Sequence, residues 1–150
     1  MVSFAELLGD QTQGLIKDTV KVGNVYRLNL DRKSGIIPKP GDLTRNKFFV
    51  VLGFDADGNI YGGVIFNSGI NPNISTLHKM YHMPIKADDY NFLDHDSFVD
   101  CLTLITASPE EFVAGSYLGD MTQDHMDLII DTVKESPLIT QQTLIDYGIL

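Results

Sequence analysis

The 150 residues carry eleven lysines and arginines against twenty acids, a net charge of −9, with one cysteine and no tryptophan. That length fits a single domain, 1–150, large enough to bury its own core. One cysteine excludes an internal disulfide and a cysteine cage for metal, the apolar runs fall far short of the ~20 residues that cross a bilayer, and the acidity argues against broad, nonspecific nucleic-acid binding.

Residues 1–22 read as an N-terminal helical extension. Phe4, Leu7, Leu8 and Leu15 lie near helical spacing, and Ser3 can cap. Glu6 and Asp10 stand where a secretion signal would carry basic residues, so a cytoplasmic protein is expected. From Gly23 the pattern turns to strands. "NVYRLNL" mixes Val25, Leu28 and Leu30 with polar residues, and "KFFVVLGF" is a continuous β-rich run expected at the centre of a sheet. Asp57-Gly58-Asn59 marks a hairpin before "IYGGVIF". "MYHMPIK" reads as a further strand, and Pro84 puts it at an edge or bulge. "SFVDCLTLIT" gives a last strand or pair of strands.

Helices follow. Ser108-Pro109-Glu110-Glu111 combines a capping serine, proline at the first helical position and glutamate at the third, which predicts a short helix over 109–115. Thr122 caps a helix whose stripe is Met126, Ile129, Ile130 and Val133, and Pro137 ends it. A tail over 137–150 holds a last short helix from Thr140 to Tyr147. Hairpin spacings without a βαβ rhythm predict a small, strongly bent antiparallel sheet or barrel, mainly β with flanking helices.

Charge is unevenly placed. Residues 1–47 carry +3, and residues 48–150 carry −12. The basic excess gathers in "DRKSGIIPKPGDLTRNK", a 17-residue stretch read as a loop, which holds Arg32, Lys33, Lys39, Arg45 and Lys47. Long irregular loops are usually functional or disordered. A basic loop rooted on a rigid strand suits a phosphodiester, and Arg45, next to that strand, offers a planar donor fork for a developing phosphorane. The bland alternative is a solvated loop whose charges guard a sticky strand. His78 and His82 share an i, i+4 spacing, with Asp94 nearby, but on a strand that spacing separates them by ~13 Å, so no metal site is expected. A lone histidine beside a phosphate can act as general acid or base. Cys101, inside an apolar strand, reads as a buried thiol.

The ordered landmarks "GNVYRLNL", "PKPGDLTRNKFFVVLG", "FNSGINPN", "YHMPIK", "SFVDCLTLI" and "YLGDMTQDHMDLIIDTV", over roughly residues 23–136, resemble the MazF/PemK-type toxins of bacterial toxin–antitoxin systems. The resemblance implies an SH3-like barrel with a closing helix. It also implies a homodimer, an antitoxin partner, and endoribonuclease activity on single-stranded RNA, not DNA, without metal or cofactor. By that resemblance Arg45 stabilises the transition state. Asn46 stands where the family usually has proline, and "HKMYHM" lacks the family's catalytic hydroxyl, so Thr44, Ser68 or His82 takes the proton-transfer role. Lys33, Lys39 and Lys47 would position phosphates, and Asn46, Asn67 and Ser68 would meet bases or sugar. The alternative function is a catalytically silent barrel that binds a protein or peptide in the same groove. Arg45 would then pair with a carboxylate such as Asp42.

Overall fold

The computed structural model describes residues 16–150. Six strands, β1 (Asn24–Asp31), β2 (Thr44–Phe54), β3 (Tyr61–Asn67), β4 (His82–Ile85), β5 (Ser97–Ala107) and β6 (Ser116–Asp120), form one antiparallel sheet. Their order is β4-β5-β3-β2-β1-β6, and the sheet is open, with β4 and β6 as its edges. Four α-helices lie wholly within the described residues: α1 (Thr76–Lys79), α2 (Pro109–Ala114), α3 (Gln123–Glu135) and α4 (Gln141–Asp146). Among the described residues no helix is long and apolar enough to cross a membrane.

Local chemistry sets the element ends. Asp55 Oδ1 accepts from the backbone N–H groups of Asn59 and Ile60 at 2.8 and 3.3 Å, and Gly58 takes φ +68°, which closes the β2–β3 hairpin. Ser108 and Glu111 form a reciprocal capping box at the start of α2. The Thr122 hydroxyl caps α3 by accepting from the His125 N–H.

Both faces of the sheet are covered, which is why "FFVVL" is apolar throughout. On the outer face Val50, Leu52, Val64, Phe66 and Val99 pack against Met126, Ile129 and Val133 of α3 and Leu144 of α4. On the inner face Leu28, Leu30, Phe49, Val51, Tyr61, Ile65 and Ile105 pack against one another. Among the described residues only Ile16, Val20, Ile36 and Phe112 reach that cluster from outside the strands, and the bend of the sheet helps to bury it. Register shifts in the β2–β3 and β3–β5 pairs supply the bend. Gly63 permits the close approach: a Cβ there would lie 2.0 Å from the Val50 carbonyl oxygen and 2.7 Å from the Phe49 ring.

The N-terminal helix predicted over residues 1–22 falls mostly outside the described residues; residues 16–19 are helical. Three other expectations change. The stretch read as a 17-residue loop is shorter, because Asp31 pairs with Thr44 and Leu30 with Arg45, so Thr44–Lys47 already belong to β2. "HKMYHM" is not one strand. The Ser75 hydroxyl accepts from the His78 N–H at 3.1 Å and caps α1, and the strand starts only at His82. Strand β6 went unread, since "SYLGD" alternates poorly and carries Gly119 at φ +152°.

Replacing Gly63 with alanine is expected to lower stability by about 1–3 kcal/mol through overpacking. Gly69→Ala, whose added Cβ meets nothing within 4 Å, should change it by far less. Denaturant midpoints of the two proteins check the difference.

Candidate functional site

Strand β2 outruns its neighbour. β3 ends at Asn67, while β2 continues past Lys47 to Thr44 along β1. Residues two apart on a strand share a face, so Arg45 and Lys47 follow Phe49 and Val51 on the inner side. There they meet a cleft of about 500 Å³ at the end of the inner core. Its polar lining includes Arg45, Lys47, Asn67, His82, Asp100 and Thr103.

Strand β5 supplies the last two. Between the pairs Ile65–Asp100 and Gly63–Ile105, β3 advances by two residues and β5 by five. The extra residues bulge out, and the Leu102 N–H donates to Asp100 Oδ1 at 2.9 Å. From behind, the Ser136 hydroxyl donates to the Leu102 carbonyl at 2.5 Å and holds the bulge. Asp100 pairs with His82 across β4–β5, and the His82 Nε2 lies 3.7 Å from Asp100 Oδ1. Those side chains are 6% and 18% exposed. On its other side His82 Nδ1–H donates to the His78 carbonyl at 3.2 Å. This bond fixes the tautomer, so Nε2 is the lone-pair nitrogen of the neutral ring.

The Lys47 ammonium donates to Asn67 Oδ1 at 2.6 Å. Burial and then the Arg45 charge lower its pKa from 10.5 to about 8; Asp100 acts the other way and Lys39 adds to the lowering. Among the described residues Arg45 forms no ion pair, with Asp42 or any other carboxylate. The Cys101 thiol is buried behind this wall and pushed up to about 12 by desolvation, so it is inert as a nucleophile.

Of the residues singled out from sequence, Arg45, Lys47, Asn67, Ser68 and His82 line this one cleft. Lys39 stays exposed in the preceding loop. Thr44 and Lys33 line a separate cleft of about 490 Å³ with Asp31 and Glu111, so Thr44 is not beside His82. Asn46 faces outward, and its side-chain carbonyl accepts from Asn29 Nδ2 at 3.0 Å. Among the described residues no three His, Cys, Asp or Glu side chains are grouped to hold a metal. Sequence reading missed Asp100 and Thr103. The trace was a carboxylate inside "SFVDCLTLIT", where an unpaired charge is costly.

A comparison with protein-family models finds no match, and one with curated proteins finds no significant match.

Side-chain NMR should find Lys47 titrating near pH 8. Arg45→Gln removes a like charge and should raise that value; Asp100→Asn removes the balancing acid and should lower it. Because the folded pKa lies below the ordinary 10.5, the half-buried ammonium opposes folding below about pH 8, and stability is recovered as pH rises toward 10.5. Lys47→Met should therefore stabilise the protein at neutral pH and lose that advantage near pH 10.5.

Proposed function

We propose that the chain is a metal-independent endoribonuclease of the MazF/PemK type, a coiled SH3-like barrel that cuts single-stranded RNA. One observation carries this reading. A cleft at the end of the inner core gathers an arginine with no ion pair among the described residues, a lysine with a lowered pKa and a partly buried His82–Asp100 pair. Cations to hold a phosphodiester and a group to move a proton are the two requirements of this chemistry.

In the proposed reaction Arg45 grips the non-bridging oxygens, and the Thr103 hydroxyl is available as a further donor. The RNA 2′-oxygen attacks its own phosphorus as its proton passes to His82 Nε2. Asp100 faces the imidazolium that forms. The bond from phosphorus to the 5′-oxygen breaks, and that oxygen takes a proton from the Lys47 ammonium. A 2′,3′-cyclic phosphate and a 5′-hydroxyl result. In this reading His82 takes the proton in place of Thr44, and Lys47 serves as the acid. A homodimer, a cognate antitoxin and a cytoplasmic setting belong to the same proposal.

The test is incubation of the purified protein with varied single-stranded RNAs in excess chelator. Cleavage leaving cyclic phosphate ends is expected. Arg45→Ala and His82→Gln should each slow it by roughly 10²-fold or more. The rate should fall above about pH 8 as Lys47 loses its proton, and that limb should vanish in Lys47→Met. RNA left uncut by folded wild-type protein would sink the nuclease reading and leave the silent binding barrel.

A further inference from the structure

A second cleft of about 230 Å³ adjoins the first and shares Arg45, Lys47, Asn67 and Ser68 with it. It is reached past the same overhang of β2, but its other walls belong to the outer face, because Asn46 and Phe48 alternate with Arg45 and Lys47. Its size suits one flat ring system rather than a large ligand, for which pockets of about 300–1,000 Å³ are usual.

The lining combines aromatic and polar side chains. Phe48, Phe66 and Phe92 meet edge to face, with ring centres 6.4, 6.0 and 6.1 Å apart. Phe66 is buried, whereas Phe48 and Phe92 keep exposed surface. The loop that follows Phe92 is a stapled turn: the Ser97 hydroxyl donates to the His95 carbonyl at 3.1 Å, and Asp96 Oδ1 accepts from the Ala87 N–H at 2.9 Å. That turn carries Asp94 into the cleft lining. Among the described residues the Asp94 carboxylate has no hydrogen bond or ion pair, and the Asn46 amide donors and the Arg27 guanidinium have none either.

We propose that this second cleft is a nucleobase subsite with a preference for guanine. It rests on the reading of the first cleft as a phosphodiester site, since a base held here hangs from a phosphate held at Arg45. Aromatic surface stacks any base; the polar rim chooses. An ionised carboxylate only accepts, through two parallel oxygens. Guanine alone among the four RNA bases places two donors side by side on its pairing edge, N1–H and N2–H. Its O6 then meets Asn46 and Arg27, which only donate from their free groups. Adenine and cytosine set one donor beside an acceptor, and uracil sets one donor between two acceptors, so each leaves part of this rim unmatched.

The test is an NMR titration of the intact chain with guanosine, adenosine, cytidine, uridine and ribose 5-phosphate. Guanosine should bind at least roughly tenfold more tightly than the other three nucleosides and move the signals of Phe48, Phe92 and Ser97. Ribose 5-phosphate should move Lys47 instead. Asp94→Asn, a change at an exposed side chain, should erase the guanine preference and leave ribose 5-phosphate binding intact. Equal affinities for the four nucleosides, no nucleoside binding, or a preference that survives Asp94→Asn would overturn the subsite. If guanosine binds as expected while ribose 5-phosphate does not, the base cleft stands and the phosphodiester reading falls; the opposite pattern removes the base cleft alone.

Discussion

The bulge in β5 is the constraint from which the rest follows. If β5 ran level with β3, its side chains would simply alternate between the two cores. Instead its three extra residues bend the sheet and carry Thr103 to the rim, directly after Asp100, which pairs with His82 across β4–β5. The bend has costs that other residues offset. Backbone groups freed from the β3 ladder find the Asp100 carboxylate, the Tyr81 carbonyl and the Ser136 hydroxyl. Gly63 has no side chain to collide with the Val50 carbonyl where the strands close up. Packing, hydrogen bonding and site geometry are one structural problem here.

The site's electrostatics follow from its position. At the end of the inner core the side chains of Arg45 and Lys47 are half-buried, so two like charges are held close with limited water. The cost appears as the depressed pKa of Lys47. A protein of net charge −9 with twelve surplus acids after residue 47 has little reason to hold that repulsion for stability. Strained, desolvated charges cluster at sites that bind or react, and an anion seated between Arg45 and Lys47 would relieve the strain.

Much of this was legible in the sequence. The Asp-Gly hairpin, the capping box at Ser108, the Thr122 cap and the edge position signalled by Pro84 are local signals that no distant contact overrides. The buried run "FFVVL" announced a central strand because both of its faces are covered. Arg45 and Lys47 were visible as a basic concentration, but their assignment to a loop failed, because pairing with β1 is a non-local contact. Thr44 was drawn toward the site by its place beside Arg45, yet strand alternation and the β1 edge send it to another cleft. Asp100 was hidden because its pairing with His82 is a non-local contact, and Thr103 because a bulge breaks the period of two on which strand reading depends.

The most direct test of the central claim, that the cleft between Arg45, Lys47 and His82 is built for a phosphodiester, is the Lys47 pKa with and without bound anion. A dinucleotide made uncleavable by a 2′-O-methyl group serves as the ligand, followed through the Lys47 side-chain signal. An anion seated against the ammonium favours its charged form, so the account predicts a rise from about 8 toward the ordinary value of 10.5 on saturation. A Lys47 pKa that stays near 8 at concentrations saturating the protein would contradict it.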